Sequence, residues 1–483
     1  MLIASIFSLI LCQQVPVSIP VTHELNEQIT LHRGEKPAGE ESMHPFIVRK
    51  IIIEGNKVTR RHIIARELTF KEGDTAAIST LRKSFLASKQ NLLNTSLFNF
   101  VTFDTLNSGA GHADVRITVE ERWYTWPGPI FELADRNFNT WWQTRDLDRI
   151  NYGFFLYRDN FRGRKERVTF LFKTGYTQQF GISYTIPYLD RRQKMGMGFS
   201  ISWSRNHEVA YGSMANKQLF YKDEDTYVRK EFSSKLSFSY RPGLYTTFST
   251  EARFYDGKIA DTVTSFENIY FAGDLSKMQY FLLNVYVRHD HRDNKSYPLK
   301  GYYLDLEAGK NGLGILDGET ADQWYAISSA RKYTKLSPRW HHGVALKGKL
   351  SDGTDVPYFL TRGLGYREYI RGYEYYVMDG QNYLLGKTGF KFCLVKPKIK
   401  KIKFLPAKKF NKFHYALYAE AYFDAGYVED KVSFANNSLN NKWQYGYGAG
   451  IHYVTYYDLV LRLEYSRNML NEDGLFLHFV APL

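Results

Sequence analysis

The chain has 483 residues, 16% of them aromatic with 37 Tyr and 34 Phe, and a formal net charge of +14. Mean hydropathy is −0.41, and past the N-terminus no run of ~18 apolar residues occurs, which excludes a transmembrane helix there. Many aromatics, low mean hydropathy and short alternating runs fit a transmembrane β-barrel; the positive charge is spread through strand-like runs and not gathered on one face, which speaks against nucleic acid and for anionic lipid or a polar lumen.

Leu2 to Cys12 form a short apolar core followed by polar residues. This reads as the core of an export signal covering about residues 1–20. Leu9-Ile10-Leu11 ahead of Cys12 lacks the small residues of a lipid-anchor site, so cleavage is expected. Residues 21–45 are polar and aperiodic, as in a linker or disordered arm. The other cysteine, Cys393, leaves no disulfide framework and no cysteine metal site.

Residues 46–121 change character. Ile47 to Asn56 is a strand ending in a Gly-Asn turn. Thr59 is placed to cap a helix carrying Ile63, Ile64 and Leu68. Gly73-Asp74 ends that unit, and Ser79 or Thr80 opens a second helix with Leu81, Phe85, Leu86, Leu92 and Leu93 on one stripe. Strands follow at Phe98 to Asp104 and Asp114 to Glu120. The expected order is β-α-α-β-β.

Residues 129–483 show one strand-like run after another. Arg167 to Lys173 alternates, with Val168, Phe170 and Phe172 on one face. Phe180 to Tyr188, Lys235 to Tyr240 and Thr246 to Phe254 do the same, with turns such as Arg241-Pro242-Gly243 between them. Period two with an apolar and a polar face is the lipid-out, lumen-in pattern. In lipid the sheet has to close, because an open edge leaves backbone groups unsatisfied. The stretch of about 355 residues, at roughly twenty-two per strand and connection, makes about sixteen antiparallel strands.

Two stretches offer complementary charges. Arg371-Gly372-Tyr373 sits in a non-strand segment, Thr361 to Gly380. Tyr422-Phe423-Asp424-Ala425-Gly426 sits inside the strand-like run Tyr415 to Val428. A loop folded into the lumen can pair its Arg with the Asp on the wall, and a charge-assisted contact of this kind pins the loop. Gly446, Gly448 and Gly450 lie on one face of a late strand and make room for such a loop. No helix follows them, so they are not a dinucleotide site. His289-Asp290-His291 puts two imidazoles on one face, but no third ligand is near in sequence. Lys396 to Lys412 is a basic connection that reads as a solvated turn or as a contact for anionic headgroups or an acidic partner.

The two charged stretches resemble the best-preserved motifs of the BamA/TamA superfamily of outer-membrane barrel proteins. Other stretches resemble the family in the same order. Ile51, Ile53, Gly55, Asn56 and Thr59 look like the opening of a POTRA domain, here in one copy. Asn160-Phe161-Arg162-Gly163 resembles the N-x-x-G after the second barrel strand. Asp290, Arg292, Asp293, Asn294, Pro298 and Gly301 resemble the mid-barrel signature, and Gly363-Leu364-Gly365 the glycine-rich lead-in to Arg371. Departures are Gly389, where relatives carry a Glu, and a chain that ends Phe479-Val480-Ala481-Pro482-Leu483 and not on an aromatic.

The resemblance implies sixteen strands and a role in inserting or translocating proteins at the outer membrane of a Gram-negative bacterium, with the POTRA domain in the periplasm. The partners it implies are unfolded outer-membrane or secreted client proteins, outer-membrane lipid, and periplasmic or lipoprotein accessory subunits. A passive pore or surface-exposed barrel is the alternative, since fold does not fix function. The chain has no G-x-S-x-G, no H-E-x-x-H and no phosphate-binding loop, so neither an enzyme nor a cofactor is expected.

Overall fold

The computed structural model describes residues 46–107, 111–135, 137–266, 270–271, 275–317, 319, 321–353, 357–401, 412–432, 436–455 and 459–479. The expected signal and arm lie outside them. The chain starts with β1 (Phe46–Glu54), α1 (Arg61–Ala65), β2 (Thr75–Ala76), α2 (Ile78–Leu93), β3 (Phe98–Asn107) and β4 (His112–Glu121). Their sheet runs β2-β1-β4-β3, with β1 parallel to β4. Strand β2 was not expected, because two residues are too few to show a period. Ile51, Ile63, Phe85, Leu92, Val101 and Ile117 form the core beneath the helices.

Thr59 does not cap α1. Arg60 holds the cap position without a side-chain bond. The Thr59 hydroxyl instead meets the Tyr124 hydroxyl at 3.0 Å and accepts from Asn160 Nδ2 at 2.8 Å. Helix α2 starts at Ile78, ahead of Ser79, with Ala77 at its cap and no side-chain bond there. Burial of Leu81 and Phe85, and not capping, fixes where it begins.

The remainder is β5 (Thr125–Leu133), α3 (Phe138–Thr144), β6 (Ile150–Phe161), β7 (Glu166–Gly175), β8 (Thr177–Ile186), β9 (Met195–Asn206), β10 (Glu208–Met214) and β11 (Lys217–Lys222). Then come β12 (Arg229–Tyr240), β13 (Thr246–Ile259), α4 (Asp261–Thr264), β14 (Lys277–Asp290), β15 (Gly301–Asn311), β16 (Gln323–Lys335) and β17 (Trp340–Ser351). Last are β18 (Arg362–Leu364), β19 (Met378–Asp379), β20 (Asn382–Lys401), β21 (Lys412–Glu429), β22 (Gln444–Thr455), β23 (Val460–Asn468) and β24 (Asp473–His478).

Among the described residues, sixteen strands make one antiparallel sheet in chain order from β5 to β24, and within this span the pairs β10-β11 and β18-β19 stand apart from it. This is the expected mainly-β barrel architecture behind a small α+β domain. The first strand begins at Thr125, ahead of the expected start at Pro129. Leu236, Phe238, Tyr240 and Phe248 lie 40–47% exposed on the outer face, as period two requires of a lipid-facing side. Among the described residues no ladder joins β5 to β24. Helix α3, just after β5, touches β24 and brings the two edges together.

The N-terminal domain is docked on the connections at one end of the sheet. Arg60 N donates to Gly163 O at 3.0 Å, Arg66 Nε to Gln193 O at 2.7 Å and Lys295 Nζ to Asn94 O at 3.4 Å. The loop carrying Arg371 leaves the opposite end.

Candidate functional site

The loop between β17 and β20 turns into the lumen. Strands β18 and β19 pair across its base. Leu364, Ile370, Tyr373 and Met378 pack with Leu385 and Val428 of the wall. Gly372 has φ +95°, open to glycine. Its N–H donates to the Glu374 carboxylate at 2.8 Å, and its carbonyl accepts from Asn468 Nδ2 at 3.0 Å.

This turn delivers Arg371 to β21. Arg371 Nε and Nη2 donate to the two oxygens of Asp424 at 2.8 and 2.6 Å, and its backbone N–H adds a third bond at 3.2 Å. The guanidinium also lies 3.7 Å from the centre of the Tyr422 ring. Tyr373 donates to Gln444 Oε1 at 2.9 Å. Arg371 and Asp424 are fully buried. Gly446 of the glycine row is needed here, because a Cβ would sit 1.9 Å from Arg371 O. Gly426 leaves space for Ile370 and Leu364 in the same way.

Asp424 is not the only carboxylate on Arg371. Nη1 donates to Glu420 at 3.3 Å and lies 3.7 Å from Glu464. Arg462 holds Glu464 at 2.8 Å, and Lys387 lies 3.8 Å from Asp424. Sequence reasoning missed Glu420, Glu464, Arg462 and His452. The available signal was period two: Glu420, Tyr422 and Asp424 share one face of β21, and Arg462 and Glu464 one face of β23. Gly389 also gains a reason. The Glu420 side chain fills the space beside it, where a Cβ would lie 2.2 Å from Oε1. The carboxylate absent at Gly389 is supplied from the paired strand.

Glu420, His452 and Glu464 bring one ligand atom each within 4.8 Å of one another. The set is chemically able to ligate a metal. However, Arg371 and Arg462 already bond to its carboxylates, so guanidinium groups hold the cation positions.

The mid-barrel motif lies in the connection between β14 and β15. Arg292 grips Asp290 with two bonds of 2.8 Å. Asp293 accepts from Asn294 N and Leu299 N, and Asn294 from Ser296 N and Tyr297 N. Pro298 is buried within this turn. Gly301 has φ +108°, and a Cβ there would meet His291 O at 2.2 Å. The turn drives Tyr297 into the lumen, where its hydroxyl lies 2.9 Å from His452 Nδ1. The motif thereby joins the Arg371 network through His452. His289 and His291 both stack with Tyr302, each with its ring centre 5.5 Å away.

The POTRA-like opening serves docking. Ile51 and Ile53 face the core. Gly55 takes φ +87°, and Asn56 Nδ2 donates to Thr59 O at 3.0 Å. Thr59 meets Asn160 of the N-x-x-G turn. From the connection between β12 and β13, Arg241 reaches Glu67, 2% exposed, and bonds both of its oxygens at 2.6 and 3.0 Å. Burial alone would raise the Glu67 carboxyl; Arg241, with Lys165 and Arg66, instead holds it down at about 2. Its stabilisation, on the order of 3 kcal/mol, is present above the ordinary carboxyl range near 4.5 and is lost as pH falls toward 2. Glu67→Gln is expected to release the domain at neutral pH, measured as faster hydrogen exchange in 188–194 and 241–245. Wild-type exchange there would refute the docking role.

The basic stretch expected as a connection is strand up to Lys401. Here β20 runs on past Trp340, where β17 begins. Lys396, Lys398 and Lys400 are exposed there, with Lys400 Nζ 5.9 Å from the Tyr415 ring. Lys403, Lys408 and Lys409 lie outside the described residues.

Residues 160–465 match the family model described as Omp85 superfamily domain, and residues 46–122 match the POTRA model described as surface antigen variable number repeat. No curated protein sequence matches. Among solved structures, CdiB from Escherichia coli aligns with a TM-score of 0.50 at 11% identity, over 91% of this chain and 75% of that one. BamA from Haemophilus ducreyi lacking POTRA domains 1-3 gives 0.49 at 14% identity, over 90% and 83%. CdiB from Acinetobacter baumannii gives 0.47 at 14% identity, over 90% and 72%.

Proposed function

Because the chain belongs to the Omp85 superfamily, we propose that it inserts proteins into the outer membrane of a Gram-negative bacterium or translocates them across it, with the N-terminal domain in the periplasm. Unfolded outer-membrane or secreted proteins are the clients. Outer-membrane lipid surrounds the apolar outer face, and periplasmic or lipoprotein subunits are accessory partners. The observation that carries the reading is a connected path of contacts. It runs from Asn94 of the docked domain to Lys295, through the same turn to Tyr297, His452 and Glu464, and on to Arg371 of the inward loop. A segment bound by the N-terminal domain can therefore bias the loop that shapes the lumen. A passive pore has no use for such a connection.

Depletion of the protein, followed by quantitative proteomics of the outer-membrane and secreted fractions, tests the reading. Broad loss of barrel proteins identifies a general insertase. Loss of one or a few proteins identifies a dedicated translocator or assembly factor. No change in either fraction refutes the proposal.

A further inference from the structure

Four basic side chains stand side by side on the outer face of the barrel. Arg205 of β9 is the register partner of Lys230 of β12, Lys230 of Lys258 in β13, and Lys258 of Lys277 in β14. Lys230 shares its face of β12 with Leu236 and Phe238, while Ile259 and Met278, the neighbours of Lys258 and Lys277, are buried on the lumen side. The three lysines are exposed. Neighbouring strands lie ~4.8 Å apart, so the row runs for about 14 Å across the strands. Like charges directly opposite one another destabilise a sheet. Yet among the described residues no carboxylate forms an ion pair with any of the four. Asp256 lies one row lower, opposite Phe232 and Gln279, and is paired with none of them. Lys310, outward on the adjacent β15, is by contrast matched with Asp322 at 3.1 Å.

Arg205 is held in place at one end of the row. Its Nε donates to Gln178 Oε1 at 2.7 Å. Its guanidinium lies 3.8 Å from the centre of the Tyr227 ring and 5.3 Å from that of Trp203. Tyr227 is backed by His207, with ring centres 4.1 Å apart. Among the described residues neither Nη group has an acceptor. A planar guanidinium fixed in this way suits the oxygens of a phosphate.

The height of the row matches a membrane interface. It stands at the end of the strands opposite the docked N-terminal domain. From Lys230 to Tyr240 β12 rises about 34 Å, or about 26 Å along the membrane normal at the usual strand tilt, which is the depth of the apolar band of such barrels. Directly below the charges the outer face turns aromatic. Trp203 and Phe232 are register partners in the next row. Phe254 and Phe281 follow in the row after, with ring centres 5.2 Å apart.

We infer that the row Arg205-Lys230-Lys258-Lys277 binds the phosphate groups of an outer-leaflet lipid, whose acyl chains lie on the aromatic rows below. The inference rests on the orientation proposed above, with the N-terminal domain in the periplasm, and not on client handling. The continuity of charge and apolar surface selects a lipid. A soluble acidic partner would meet the cations but would leave the aromatic rows unused.

Native mass spectrometry of the full chain in detergent micelles, titrated with diphosphoryl lipid A, tests this. Retention of the lipid is expected. Lys230→Gln, Lys258→Gln and Lys277→Gln together should weaken it about a hundredfold, and Arg205→Gln about fivefold, the usual effect of basic residues beside anionic headgroups. Arginine at the same three positions should preserve binding, and Lys310→Gln should leave it unchanged. Heat-modifiable gel mobility checks that each variant is folded. Lipid A stripped of its phosphates, and inorganic pyrophosphate without acyl chains, should both bind poorly. Equal binding by the triple glutamine chain, or of the stripped lipid, overturns the inference. Pyrophosphate or a polyglutamate peptide binding as tightly as lipid A overturns the assignment to a lipid. Depletion proteomics judges the protein-handling reading separately, whichever result is found.

Discussion

Arg371→Ala is expected to free the inward loop while leaving the outer wall of the barrel folded. The side chain is fully buried, and its three carboxylate neighbours, Asp424, Glu420 and Glu464, are no more than 2% exposed. Removing the guanidinium leaves Asp424 and Glu420 without their main cationic partner, while Arg462 still holds Glu464. Deleting one member of a buried ion pair costs about 3–5 kcal/mol. Lys387, 3.8 Å from Asp424, offsets only part, since it has neither the fork nor the reach to Glu420. Arg371→Lys should fall between, because an ammonium keeps the charge but loses the two-point contact and the stacking on Tyr422. Hydrogen exchange of 364–378 should accelerate, the heat-modifiable gel band should melt at lower temperature, and client assembly should fall. Unchanged exchange together with wild-type gel mobility and assembly would show that Arg371 does not hold the loop.

The parts of this molecule legible in its sequence were those whose pattern is local. Period two marks the outer face of β12 and β13, because each side chain there answers only to lipid or lumen. Arg371 and Asp424 could be matched because each sits in a short motif and carries the charge the other lacks. Glu420, Glu464, Arg462 and His452 could not be matched. Each is an ordinary polar residue on an inward face, and only the register of β21, β22 and β23 brings them together. Thr59 misled for the opposite reason. It has the chemistry of a helix cap, but Tyr124 and Asn160 claim its hydroxyl. The first strand begins at Thr125, four residues ahead of the expected start, and includes Pro127 and Pro129. On an edge, with the missing N–H turned outward, proline removes no ladder bond.

Asn216→Leu is expected to open the outer mouth of the barrel. Strands β10 and β11 form a hairpin whose tip, Ala215 and Asn216, takes φ +50° and +58°, the left-handed turn that asparagine tolerates and leucine does not. The hairpin rises between β9 and β12, yet its tip lies on the far side of the lumen. Asn216 N donates to Asn437 Oδ1 at 2.8 Å, and its Oδ1 accepts from Leu439 N at 3.0 Å. Its Nδ2 donates to Val377 O and Asn440 Oδ1 at 3.0 and 3.1 Å. Leucine would remove the three side-chain bonds and leave Leu439 N, Val377 O and Asn440 Oδ1 without them, at about 1–3 kcal/mol each, and would strain the turn as well. The unsubstituted protein should conduct only sporadically in a planar bilayer, and Asn216→Leu should conduct steadily. Asn216→Gly, which keeps the turn but loses the side-chain bonds, should lie between. Steady conductance in the unsubstituted protein, indifferent to both changes, would return the advantage to a passive pore. Val377 and Glu374 both belong to the loop that Arg371 anchors, so Arg371→Ala should raise conductance too. The coupling is reciprocal, so Asn216→Leu should also speed exchange around Arg371, by less than Arg371→Ala does, because Asp424 still holds the guanidinium.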